Sequence, residues 1–168
     1  RYGLQVLADI LGGGMSSRLF RRVREEMGAA YYVRASSELF LDHGYMSVSA
    51  GVDHQKVSPV IKAILEEMKR LANETVGAEE LKKAKDHIIG NLFLGLETSD
   101  ELAGFYGGQE VLTRRLLKPE EIAAKIQDVD APTIKTIARS LFADSKLNLA
   151  LIGPHRNTDT LKKILRFN

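Results

Sequence analysis

The hydrophobic pattern follows helical spacing along most of the chain but switches to a period of two between Gly28 and Asp53. Met46, Val48, Ala50 and Val52 alternate with Tyr45, Ser47, Ser49 and Gly51, the pattern of a half-buried strand. Residues 30–41 change period with them, and Asp42-His43-Gly44 between the two runs reads as a hairpin turn. Helices are predicted on both sides of this hairpin. Residues 4–11 form one that stops at Gly12-Gly13-Gly14, and residues 16–27 a second, with Ser16 or Ser17 as N-cap and Gly28 as stop. Ser58-Pro59 opens a third to about residue 72, and Gly77 with Glu79 and Glu80 opens a long fourth. Further helices are predicted at 101–114, 119–127, 131–142 and about 158–166, with a short buried strand at 147–152 ending at Gly153-Pro154. No repeat, low-complexity tract or linker interrupts the 168 residues, enough for one sizeable core and too few for two ordinary domains. The expected fold is therefore α+β: an antiparallel-rich sheet packed by several helices, with residues 1–168 as one domain.

Composition excludes several functions. Lys and Arg number 24 against 22 Asp and Glu, a net charge of +2 that makes no electrostatic case for nucleic acid or a membrane surface. The absence of cysteine removes disulfides, thiolate zinc sites and cysteine nucleophiles together. No run of 18 apolar residues is present, so no helix is expected to span a bilayer. The four histidines, His43, His54, His87 and His155, are too far apart for H-E-x-x-H or its inverted form H-x-x-E-H. The chain by itself is expected to hold no metal or other cofactor. Gly12-Gly13-Gly14 before a helix N-terminus has the form of an anion cradle, but no Lys-Ser/Thr pair completes a phosphate loop. The favoured reading is a tight interhelix turn that needs positive φ. Ser16 and Ser17 lack the G-x-S-x-G elbow of a serine nucleophile, and capping explains them better.

The segment 18–27 carries more information. At about 100° per residue, Leu19, Val23, Met27 and Phe20 share one apolar face within roughly 100°. Arg18, Arg21 and Arg22 fall on the solvent side, whereas Arg24 falls on the border of the apolar face. It is the arginine of the four expected to be held by packing with its guanidinium at a rim. Seven residues later, past Gly28, Tyr31 begins the strand. Two such donors suit a carbonyl or a developing oxyanion. The plainer reading, a surface arginine and a half-buried tyrosine, stands beside it.

The runs Gly12-Gly13-Gly14-Met15-Ser16-Ser17-Arg18-Leu19-Phe20, Val23-Arg24-Glu25 and Gly28-Ala29-Ala30-Tyr31 resemble the C-terminal half of pitrilysin/insulinase-type metallopeptidases, in their mitochondrial-processing-peptidase-like branch. Glu79-Glu80-Leu81, Leu117-Lys118-Pro119-Glu120-Glu121-Ile122 and Ala150-Leu151-Ile152-Gly153-Pro154 extend the likeness over nearly the whole chain. Ala29 stands where the family usually has Leu. The resemblance implies a zinc endopeptidase of two similar halves around a chamber. The N-terminal half holds zinc on H-x-x-E-H, in the same chain or on a partner subunit, and the C-terminal half hydrogen-bonds the peptide substrate through an Arg/Tyr pair matching Arg24 and Tyr31. It also leaves open a structural subunit with an assembly role. The chain opens on Arg1 without a methionine, as expected of a half-domain cut from a longer protease and lacking its first strands. A leader could then be missing as well, so the compartment stays unknown, with the cytoplasm favoured. An exposed sheet edge would follow, and with it self-association of the fragment.

Overall fold

A computed structural model gives the fold and describes residues 1–154 and 159–167. Helix α1 (Tyr2–Gly12) is apolar nearly all round, with Gln5 and Asp9 its polar side chains, and such a helix belongs inside. Val6, Leu7, Ile10 and Leu11 are indeed buried almost completely, and α1 packs against strand β1 (Ala30–Leu39) and helices α3 (Ala78–Leu94), α5 (Pro119–Gln127) and α6 (Ala131–Leu141). Strand β2 (Gly44–Val52) pairs antiparallel with β1 across the turn at Asp42 and His43, and the two form the sheet among the described residues. Helix α2 (Val57–Asn73) covers α6 and shares a smaller cluster, Val57, Ile61 and Leu65, with Leu161 of the short α7 (Asp159–Ile164). Helix α4 (Ser99–Thr113), closed at its start by a reciprocal Thr98–Glu101 capping box, lies on the surface with no buried residue. The α+β architecture expected from the periodicity is present. The final helix is also present, as α7, although the start expected for it at residue 158 and the histidine at 155 lie outside the described residues.

Three local expectations are corrected. Residues 147–152 join no ladder, and Leu149, Leu151 and Ile152 are exposed rather than buried. A strand requires a neighbouring edge, and β1 and β2 pair only with each other among the described residues. The glycine turn also has another cause than positive φ. Gly13 has φ −80°, and the positive-φ glycines are Gly28 (φ 52°) and Gly153. Gly12 and Gly13 are required by close approach instead. A Cβ on Gly12 would lie 2.5 Å from the backbone nitrogen of Ala35 on β1, and one on Gly13 would lie 2.6 Å from the carboxyl carbon of Asp9. Gly12→Ala should therefore force α1 away from β1 and cost about 1–3 kcal/mol, the scale of overpacking. Urea unfolding measures it, and a loss below about 0.5 kcal/mol would show that the contact yields freely. Lastly, Ser17 does not cap the following helix: its hydroxyl donates back to the Gly14 carbonyl at 2.5 Å.

Candidate functional site

The helix carrying the four arginines starts at Arg18 and winds as a π-helix over Phe20–Glu26. The Met27 N–H donates to Arg22 O at 3.1 Å, five residues back, and the Ala29 N–H reaches Val23 O at 3.0 Å. This wider winding advances less per residue than an α-helix, so a 100° wheel misplaces side chains on it. Leu19 and Val23 remain fully buried, as the apolar face requires. Arg24 is exposed, with its guanidinium carbon 5.1 Å from the centroid of the Phe20 ring, a cation–π contact that holds the head group in water. The arginine enclosed by packing is Arg18. Its side chain is 10% exposed and forks onto Glu80 of α3, Nε to Oε1 and Nη2 to Oε2, both at 2.8 Å. That fork, more than anything else, raises the Arg18 pKa and keeps the guanidinium charged despite burial.

Gly28 closes the segment in the left-handed region, and a side chain there would meet open space, so backbone conformation alone demands the glycine. The β1–β2 register then slips: Ala30 pairs with Val52 but Tyr32 with Gly51, leaving Tyr31 as the extra residue of a bulge. The bulge turns Tyr31 and Tyr32 both outward, at 78% and 56% exposure, where regular alternation would bury one of them. The Tyr32 ring lies over Gly51, with Cε1 2.4 Å from where a Cβ would stand. Tyr31 is thus fully presented to solvent and not half-buried.

Of Gly12, Gly13 and Gly14, only Gly14 borders a cleft of about 780 Å³, with Asp9, His87 and Lys83. The Gly13 N–H is spent on Asp9 O and the Ser17 N–H on Gly14 O, and the carboxylates of Glu79 and Glu80 share the cleft. Both features suit a turn better than an anion cradle. Asp9, an acid in an otherwise apolar helix, bonds His87 Nδ1 at 2.8 Å, and Asn91 lies 3.1 Å from His87 Nε2. Burial pushes the Asp9 carboxyl above its ordinary value, with the His87 bond pulling partly back. A raised acid pKa means the folded chain binds this proton more tightly than the unfolded chain. The Asp9 contribution is thus most favourable below the unfolded value of 3.8 and is lost as pH rises through the raised one. Asp9→Asn should therefore gain stability relative to the parent as pH climbs from 3 to 7. A gap between the two denaturation curves that stays constant with pH would refute it.

Two features of the site had no local signal in the sequence. Glu67 of α2 is 3% exposed and faces Arg18, Arg22 and Arg70, with N–O distances of 3.9, 3.6 and 3.2 Å. Lys56, just before α2, donates to the Gly28 carbonyl at 2.9 Å.

Residues 1–88 match the family model described as the peptidase M16 inactive domain. A protein of Rickettsia bellii named as an uncharacterized zinc protease is 34% identical over 154 residues, 92% of this chain and 37% of the relative. A conserved protein of Enterococcus faecalis superposes with TM-score 0.72 at 28% identity, over 82% of this chain and 32% of that one. A structure from Pseudomonas fluorescens titled a peptidase M16 inactive domain gives 0.69 at 19% identity, over 83% and 33%. The chain thus spans less than two fifths of the length of the curated relative, and a similar share of these solved chains.

Proposed function

The chain belongs to the peptidase M16 inactive-domain family, and from that premise we propose that it is the substrate-binding half of a zinc endopeptidase, of the processing-peptidase-like kind. The observation that carries this reading is that Arg24 and Tyr31 occupy two successive departures from regular structure, a π-helix and a β-bulge, on either side of Gly28. Both irregularities occur preferentially where a side chain is re-aimed for function. The Arg24 guanidinium and the Tyr31 hydroxyl are exposed donors, suited to hold the carbonyl of a bound peptide and the negative charge that develops on its oxygen.

Among the described residues no three His, Asp or Glu side chains converge on a common point, as a zinc site requires. The relatives are named zinc proteases, and this reading places the metal on another half, in the same chain or on a partner subunit. The unpaired outer edges of the β1–β2 hairpin and the exposed apolar run at 147–152 favour self-association when that half is absent.

The test is reconstitution. The isolated chain should purify without stoichiometric zinc, hydrolyse no peptide and sediment as oligomers at high concentration. Peptide hydrolysis should appear only with a zinc-bearing half supplied. One tightly held zinc per isolated chain, or hydrolysis by it, would overturn the assignment.

A further inference from the structure

Besides the Arg18 fork on Glu80 of α3, the π-helical segment is contacted at both ends from α2 and the residue just before it. At its start, Arg18 and Arg22 converge on the buried carboxylate of Glu67, at 3.9 and 3.6 Å, and Arg22 also pairs with Glu66. At its exit, Lys56 holds the carbonyl of Gly28, the residue whose left-handed backbone directs the chain toward Tyr31. Lys56 and Glu67 are eleven residues apart, about 16 Å along the axis of α2. The substrate-facing residues of the reading above, Arg24 and Tyr31, lie in and just beyond the stretch that these two contacts bracket.

The chemistry of the first contact argues for a role in geometry. A buried carboxylate among three arginines is costly to desolvate, and apolar side chains of the same volume would hold the helix at least as firmly. What they would not supply is a charge that draws both arginines of the segment toward α2. Glu67 faces Arg18 with Oε2 and Arg22 with Oε1, ion-pair contacts at 3.9 and 3.6 Å, while it accepts a hydrogen bond from Arg70 of its own helix at 3.2 Å. The orientation of the segment matters here because Arg24 projects from its second half.

We propose that Glu67 and Lys56 are positioning residues that set the orientation of Arg24 and Tyr31 from α2 and the residue that leads into it; the proposal rests on the substrate-binding reading of that pair. Neither residue touches the substrate. Each acts through the segment between Arg18 and Gly28.

The first test uses this chain and reads Arg24 directly. The δ-methylene protons of Arg24 should show an upfield ring-current shift from Phe20 in the parent. Glu67→Gln and Lys56→Met should each lose a large part of it. Leu71→Ala, a cavity in the fully buried face of the same helix, should lower stability and leave the shift in place. Unchanged shifts in both positioning variants, or an equal loss in Leu71→Ala, would overturn the proposal. The second test adds the zinc-bearing half. Lys56→Met, an exposed substitution, should lower kcat about tenfold with KM and the unfolding midpoint nearly unchanged, the effect of a misaligned group. It should lower kcat no further in an Arg24→Ala background. Should Arg24→Ala itself leave turnover intact, the substrate-binding reading falls and the proposal with it. Should Arg24→Ala lower turnover while Lys56→Met leaves it intact, positioning alone is refuted.

Discussion

Arg24→Ala and Tyr31→Phe, each assayed with a zinc-bearing half present, should lower kcat/KM for peptide hydrolysis by about 10²-fold or more, the scale of losing one preorganised donor. The unfolding midpoint should hardly move. Arg24 is exposed over the Phe20 ring and Tyr31 is 78% exposed in its bulge, so neither truncation opens a cavity. The double variant should lose less free energy of activation than the two single losses combined, because both donors serve one substrate group. Near-normal turnover in Arg24→Ala would favour the alternative reading, a family member with an assembly role.

The largest effect on stability is expected at Arg18. Arg18→Met leaves Glu80 without its guanidinium and Glu67, 3% exposed, with only Arg22 and Arg70, and breaking such an enclosed pair costs about 3 kcal/mol. In a chain of this length that is a fall in unfolding midpoint of roughly 10 °C. Arg22→Met removes a side chain that is 36% exposed and paired with the open Glu66, for about 1 kcal/mol or less. A helical wheel makes these two arginines equivalent, both turned to solvent; equal, small losses in urea unfolding would vindicate the wheel against the packed structure.

That contrast shows where local pattern stops. The apolar face of residues 18–27 was legible because Leu19 and Val23 repeat at a spacing that both windings tolerate. The π winding was not, and neither were the partners that the arginines meet. Glu67 and Glu80 lie on other helices, 49 and 62 residues downstream of Arg18. Lys56 likewise meets Gly28 across 28 residues. The acid at position 9 was the one visible sign of the His87 contact, because a lone carboxyl in an apolar helix needs a partner.

The sequence by itself determined the order of the helices and of the two hairpin strands, the hairpin turn, the stop at Gly28 and the two candidate donors, Arg24 and Tyr31. All of these depend on periodicity, backbone preference or motif within some twenty residues. Only the tertiary structure decided that Gly12 and Gly13 answer to close approach rather than to φ, and that Arg18 rather than Arg24 is enclosed. It also decided that Tyr31 sits in a bulge and that residues 147–152 have no ladder to join. In each of these the deciding atom belongs to another element, or, for Gly13, to a side chain one helical turn away. Burial and pairing are properties of the assembled neighbours, and a residue's own side chain does not encode which neighbour it will meet.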